Sequence, residues 1–171
     1  MLRRCLFTAV ILASGCRTSL DDTPDANMVG GRVCKVSTTV VTCMQAATKQ
    51  ELSWIEPNIF KPHCAFSGCH NDAMTTAGRI DMLNSGKSHA DLVGQDSMIA
   101  TGRKLVVAGQ PKQSYLLLMM QQFKPSEMEP TPASPPPSDI GFMPQGTDNV
   151  PLCCQKLDAV ERWITAGAMN N

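Results

Sequence analysis

Apolar positions along the chain fall into short, separated groups. An unbroken apolar run from Cys5 to Leu12 follows Met1-Leu2-Arg3-Arg4. Residues 17 to about 32 are polar and turn-rich without apolar periodicity, which predicts a flexible tether. Val33 to Val41 is rich in β-branched residues and predicts a strand or hairpin arm. From Thr48 the pattern turns helical: Leu52, Ile55, Ile59 and Phe60 share a face, and the helix runs into Cys64. Pro57 predicts a break or a fresh helix start within it. Gly78 to Leu83 and Ser88 to Val93 read as short elements on either side of Asn84-Ser85-Gly86. Lys104 to Pro111 looks extended, and Pro111 at a first helical position opens a strongly apolar helix from Ser114 to Phe123. Seven prolines between 124 and 147 exclude a regular element there. Leu157, Val160, Trp163 and Ile164 then form one stripe of an amphipathic helix that stops at Gly167. The expected fold class is all-α, with short helices joined by long irregular segments.

Composition sharpens this picture. With 171 residues, 43% hydrophobic and 18% charged, the chain has the size of one domain and is too polar for a polytopic membrane protein. Fifteen basic and fifteen acidic side chains cancel, so no broad basic field exists to hold nucleic acid. Aromatics are only 5%, against eight cysteines and eleven methionines, so cysteine chemistry is the first suspect for fastening a thin core. No Ser-His-Asp arrangement, phosphate-cradling glycine loop or carboxylate pair stands out, which leaves hydrolytic catalysis unsupported.

The N-terminus has the form of a secretory signal: positive charge, a short apolar stretch and small residues before a cleavage point. Ala13-Ser14-Gly15-Cys16 resembles the lipobox of bacterial lipoproteins, with Leu12 one place early and Ala13 in its position. The resemblance implies a signal peptide over 1–15, a lipid on Cys16, a tether over 16–32 and a folded domain over 33–171, exported and held to a bilayer of the cell envelope. The mature chain then carries thirteen basic against fifteen acidic groups, and six cysteines besides Cys16. An even number in an exported chain favours disulfides or covalent cofactor attachment.

Pro62-His63-Cys64-Ala65-Phe66-Ser67-Gly68-Cys69-His70 is the most informative stretch. Two thiols followed at once by an imidazole suit covalent haem attachment, in which each sulfur adds to one vinyl group and the histidine takes the iron. Four residues separate the cysteines, against the usual two. A second axial ligand is offered by Met143 in Gly141-Phe142-Met143-Pro144, since a thioether favours ferrous iron. Met128 is the reserve, set back because Glu127 and Glu129 would be costly beside a buried iron site.

Cys64 to His70, Ala77 to Met82, Val106 to Pro111 with Ser114 to Leu117, Met143-Pro144, and Arg162 to Ala168 occur in an order that resembles the cytochrome c-like domains of exported planctomycete and myxobacterial proteins. The resemblance spans about residues 52 to 168. It implies a small, mostly helical cytochrome c-like fold, with the last helix and Trp163 packed on the helix that enters the motif. It implies one covalent haem c on Cys64 and Cys69, His70 as proximal and Met143 as distal iron ligand. The activity implied is electron transfer to a redox partner protein, by a carrier rather than a catalyst.

The residues alone leave other readings open. Cys64 and Cys69 could bond to each other, giving a haem-free, disulfide-stapled binding or accessory domain on the same scaffold. Cys64, Cys69, His70 and Cys153 or Cys154 could hold zinc. Cys34, Cys43, Cys153 and Cys154 allow three pairings, of which bridges between the 34/43 and 153/154 segments are favoured because adjacent cysteines strain their shared peptide. His63 and His89 read as solvated surface residues, Tyr115 and Trp163 as core anchors.

Overall fold

A computed structural model describes residues 34–65, 69–71, 79–134, 136–138, 140–144 and 152–171. The signal peptide, Cys16 and the tether lie outside the described residues. Six short α-helices follow one another: α1 (Val41–Ala46), α2 (Leu52–Ile55), α3 (Lys61–Cys64), α4 (Lys87–Leu92), α5 (Tyr115–Met119) and α6 (Cys154–Thr165). Among the described residues there is no strand, only isolated bridges between Val93 and Val106 and between Asp96 and Lys104. The described part is therefore mostly helical. None of its helices is long and apolar enough to cross a membrane.

The helix entering the cysteine motif does not break at Pro57. A π-helical turn, Glu56–Phe60, joins α2 to α3. Pro57 and Pro62 lack the N–H that α-helical bonding needs, and the wider turn accommodates them. Lys61 donates five residues back to Glu56, and Ala65 donates to Phe60 at 3.2 Å. The run keeps its apolar stripe, with Leu52, Ile55, Ile59 and Phe60 all buried.

That stripe packs against α6. Leu157, Val160, Trp163 and Ile164 are buried, and the Phe60 and Trp163 rings meet edge to face at 6.3 Å and 76°. The Trp163 indole N–H donates to the Met169 carbonyl at 2.8 Å, so its polar edge is satisfied within the core. Gly167, at φ +101°, turns the chain out of α6 in a conformation that favours glycine. At the other end of the pair, the Asn171 side chain and carbonyl accept from the amides of Leu52 and Ser53, occupying two open donors at the start of α2.

Two expected elements differ. Among the described residues of the Val33–Val41 stretch there is no strand: from Val41 the chain is helical, and from Cys34 to Val40 it is irregular. The Gln155 amide takes up both polar groups of the Ser37 backbone, at 3.2 and 2.7 Å, in place of a neighbouring strand. The helix expected over Ser114 to Phe123 covers only Tyr115–Met119. Gln121 adopts φ +62°, and the amides of Gln122 and Phe123 both turn back to the Leu117 carbonyl. This exit buries Gln122 so that its amide N–H group donates to Asp158, at 3.0 Å, and to Glu161 on α6.

Candidate functional site

The described cysteines divide into two sets. Cys34 is bonded to Cys154 and Cys43 to Cys153, with Cα separations of 5.0 and 6.2 Å. This pairing ties the segment around α1 to the start of α6, and Cys154 also donates its amide to the Lys35 carbonyl at 3.1 Å. The bridges place the folded chain in an oxidising, extracytoplasmic compartment. They also remove Cys153 and Cys154 as zinc ligands, which overturns the zinc reading. Among the described residues no group of three or more His, Cys, Asp or Glu side chains could hold a metal ion.

Cys64 and Cys69, by contrast, carry free thiols. Cys64 closes α3 and is buried in the main core with Phe60 and Trp163, whereas Cys69 is half-buried. Burial, and to a lesser degree the neighbouring Cys69, pushes the Cys64 thiol up to about 12. The thiol therefore stays protonated at neutral pH, and this sulfur is a poor attacker in disulfide exchange. His70 is held beside the pair: its amide donates to the Cys64 carbonyl at 3.0 Å, and its carbonyl accepts from Met82 at 2.9 Å. The two thiols thus lie near each other at the end of the α2–α3 run, with the His70 backbone bonded to Cys64, but the three side chains do not converge into a group that could hold a metal ion. That donor set has the chemistry a thioether-linked haem requires.

Met143 stands in a second apolar cluster, half-buried against Tyr115, Leu118, Met119 and Met128. Its amide donates to the Met119 carbonyl at 2.7 Å. Phe123 packs against both this cluster and the core that contains Cys64. Met128 is buried in the same cluster, and its flanking carboxylates do not share that environment. Glu127 folds back to accept from the Lys124 amide at 2.7 Å, and Glu129 pairs with Lys112 at 3.3 Å in solvent. The electrostatic reason for setting Met128 behind Met143 is therefore removed.

Sequence reasoning missed two polar features around this site. His63 is half-buried, with Nε2 at 2.8 Å from the Lys156 ammonium group, so it is not the solvated residue expected. Burial, then the Lys156 charge, lowers its pKa to about 4, and burial lowers that of Lys156 too. The neutral ring accepts a hydrogen bond from the lysine. A signal existed: Lys156 lies four residues before Val160 and seven before Trp163, on the buried stripe of α6. Glu56 is also buried, accepting from Gly86 N at 2.9 Å, Ser85 Oγ at 3.1 Å and Ser88 Oγ at 2.5 Å. It locks the Asn84–Gly86 turn onto the π-helical segment, and nothing in its local sequence announces this. His89 likewise meets the Ala168 carbonyl, at 3.0 Å, instead of solvent.

A surface cleft of about 350 Å³ lies elsewhere, lined by Gln50, Asp158, Glu161, Arg162, Thr165 and Ala166. Its polar groups are engaged in structure: Gln122 donates to both carboxylates, and Arg162 donates to the Ala46 and Lys49 carbonyls at the end of α1. No protein-family model, curated protein or solved structure matches this chain.

Proposed function

We propose that the protein is an exported, lipid-anchored electron carrier of the cytochrome c-like type, attaching one haem c through Cys64 and Cys69. His70 would be the proximal and Met143 the distal iron ligand. The observation that carries this reading is the division of the described cysteines: four are bridged, and Cys64 and Cys69, which precede His70, remain free thiols. When bound, the haem supplies a one-electron couple, which a redox partner protein fills and empties. The chain's own residues set the surroundings. Cys64 would hold the group from within the apolar core, the backbone bond from His70 to Cys64 keeps the two residues side by side in the chain's path, and Met143 would offer a neutral thioether from a largely apolar cluster.

The test is the absorption spectrum of the protein produced in a host with haem-maturation machinery. A Soret band that survives acid-acetone extraction is expected, because thioether-linked haem stays with the chain. Absence of the band, together with a Cys64–Cys69 disulfide in the peptide map, would overturn the proposal and leave the haem-free accessory domain.

A further inference from the structure

Exposed large apolar side chains are concentrated in one place. Of the seven among the described residues, Val36, Val40, Val41 and Met44 fall within a nine-residue stretch, at 55, 50, 59 and 45% exposure. The other three, Leu83, Met98 and Met169, are scattered. Val41 and Met44 share one side of α1 at helical spacing, with Val40 extended just before it, while Cys43 and Ala46 on the other side are buried toward α6. Exposed apolar side chains gathered in one short stretch mark an interaction surface more often than scattered single residues do.

The position of the patch indicates its occupant. Cys34 is bonded to Cys154, so the point at which the preceding chain reaches the fold is pinned, and Val36 is two residues further on. Seventeen residues separate Cys16 from Cys34, a length that spans at most about 60 Å when fully extended. A bilayer anchor at Cys16 would therefore join the fold beside this face, two residues before Val36. Four half-exposed side chains are too few to hold a free domain on lipid, but a tether keeps the local concentration high and makes weak contact sufficient.

We infer that the face formed by Val36, Val40, Val41 and Met44 rests on the lipid bilayer to which the chain is tethered, fixing the orientation of the domain. The inference rests on the anchored reading above, and its test does not depend on native lipidation. The mature chain from residue 16, with a hexahistidine segment at its N-terminus, is bound to phosphatidylethanolamine–phosphatidylglycerol vesicles containing a nickel-chelating lipid. Methionine oxidation by dilute peroxide is then followed by peptide mass spectrometry. Met44, normalised to Met98 and Met169 in the same sample, should oxidise about fivefold more slowly on vesicles than in solution. Val41→Asp places an acidic group in the first turn of α1, where the helix tolerates it, and should return Met44 to its solution rate. Equal normalised rates with and without vesicles would overturn the inference. So would protection that appears in solution as protein concentration rises, because a second copy would then be the occupant. The anchored reading is judged separately, by the mass of the N-terminal peptide of the cell-made protein: without a lipid on Cys16 that reading falls, whatever Met44 does.

Discussion

Removing the disulfides one at a time and together should expose a strong coupling between them. Each bridge alone closes a long loop, with sequence separations of 120 and 110 residues. Chain-entropy arithmetic gives a closure of that length about 5 kcal/mol. The two loops are nested, however. Once Cys34 is joined to Cys154, the path from Cys43 to Cys153 runs only through the nine steps back to Cys34 and the single peptide between Cys153 and Cys154. A closure of about 11 residues is worth about 3 kcal/mol in the same arithmetic. Cys43→Ala with Cys153→Ala should then cost about 3 kcal/mol, as should Cys34→Ala with Cys154→Ala, whereas the quadruple variant should lose about 8 kcal/mol. The excess over the sum of the two, about 2 kcal/mol, comes from the long loop that either bridge alone still closes. Small cavities left by the lost sulfurs add independently and do not create this coupling. Urea unfolding followed by far-ultraviolet circular dichroism measures all four proteins. With a total stability of order 5–15 kcal/mol, the two-bridge-minus-one variants should remain folded and the quadruple variant should lie near or beyond the unfolding threshold. Strict additivity, or a loss of about 5 kcal/mol from either pair alone, would refute the nested-loop reasoning.

Three further outcomes are expected. His63 has a folded pKa of about 4, below its ordinary 6.5, so the unfolded chain binds more protons between those values and stability is lost as pH falls through that window. Allowing for partial exposure, the loss is about 2 kcal/mol, and His63→Gln should flatten the pH dependence of the urea midpoint; an unchanged slope would refute the assignment. Glu56→Ala should cost about 2–3 kcal/mol in urea or thermal unfolding by leaving Ser85, Ser88 and the Gly86 amide without their acceptor, with Glu56→Gln recovering part of it; a loss below about 0.5 kcal/mol would show that water replaces the carboxylate. On the haem reading, Met143→Ala should shift the ferrous visible spectrum and lower the reduction potential in voltammetry, whereas the same change caused by Met128→Ala instead would move the distal role to the deeper thioether.

The helical character, the two packed stripes and the cysteine motif are properties of the sequence itself. Leu52, Ile55, Ile59 and Phe60 at the front, and Leu157, Val160, Trp163 and Ile164 at the back, repeat at helical spacing, so hydrophobic burial alone selects helices that face each other. The adjacency of Cys69 and His70 is covalent, and no folding is needed to read it. Local patterning failed where a partner distant in the chain decides the conformation. The β-branched Val33–Val41 segment favours a strand by propensity, but two disulfides and the Gln155 amide hold it against α6 without a sheet neighbour. Which cysteines pair, and how Glu56, Lys156 and half of His63 come to be buried, depend on groups 30 to 120 residues away, and Cys64 stays a protonated thiol chiefly because that assembled core buries it. Only the tertiary structure brings those groups together, because burial and hydrogen-bond satisfaction belong to the assembled core and not to any window of sequence.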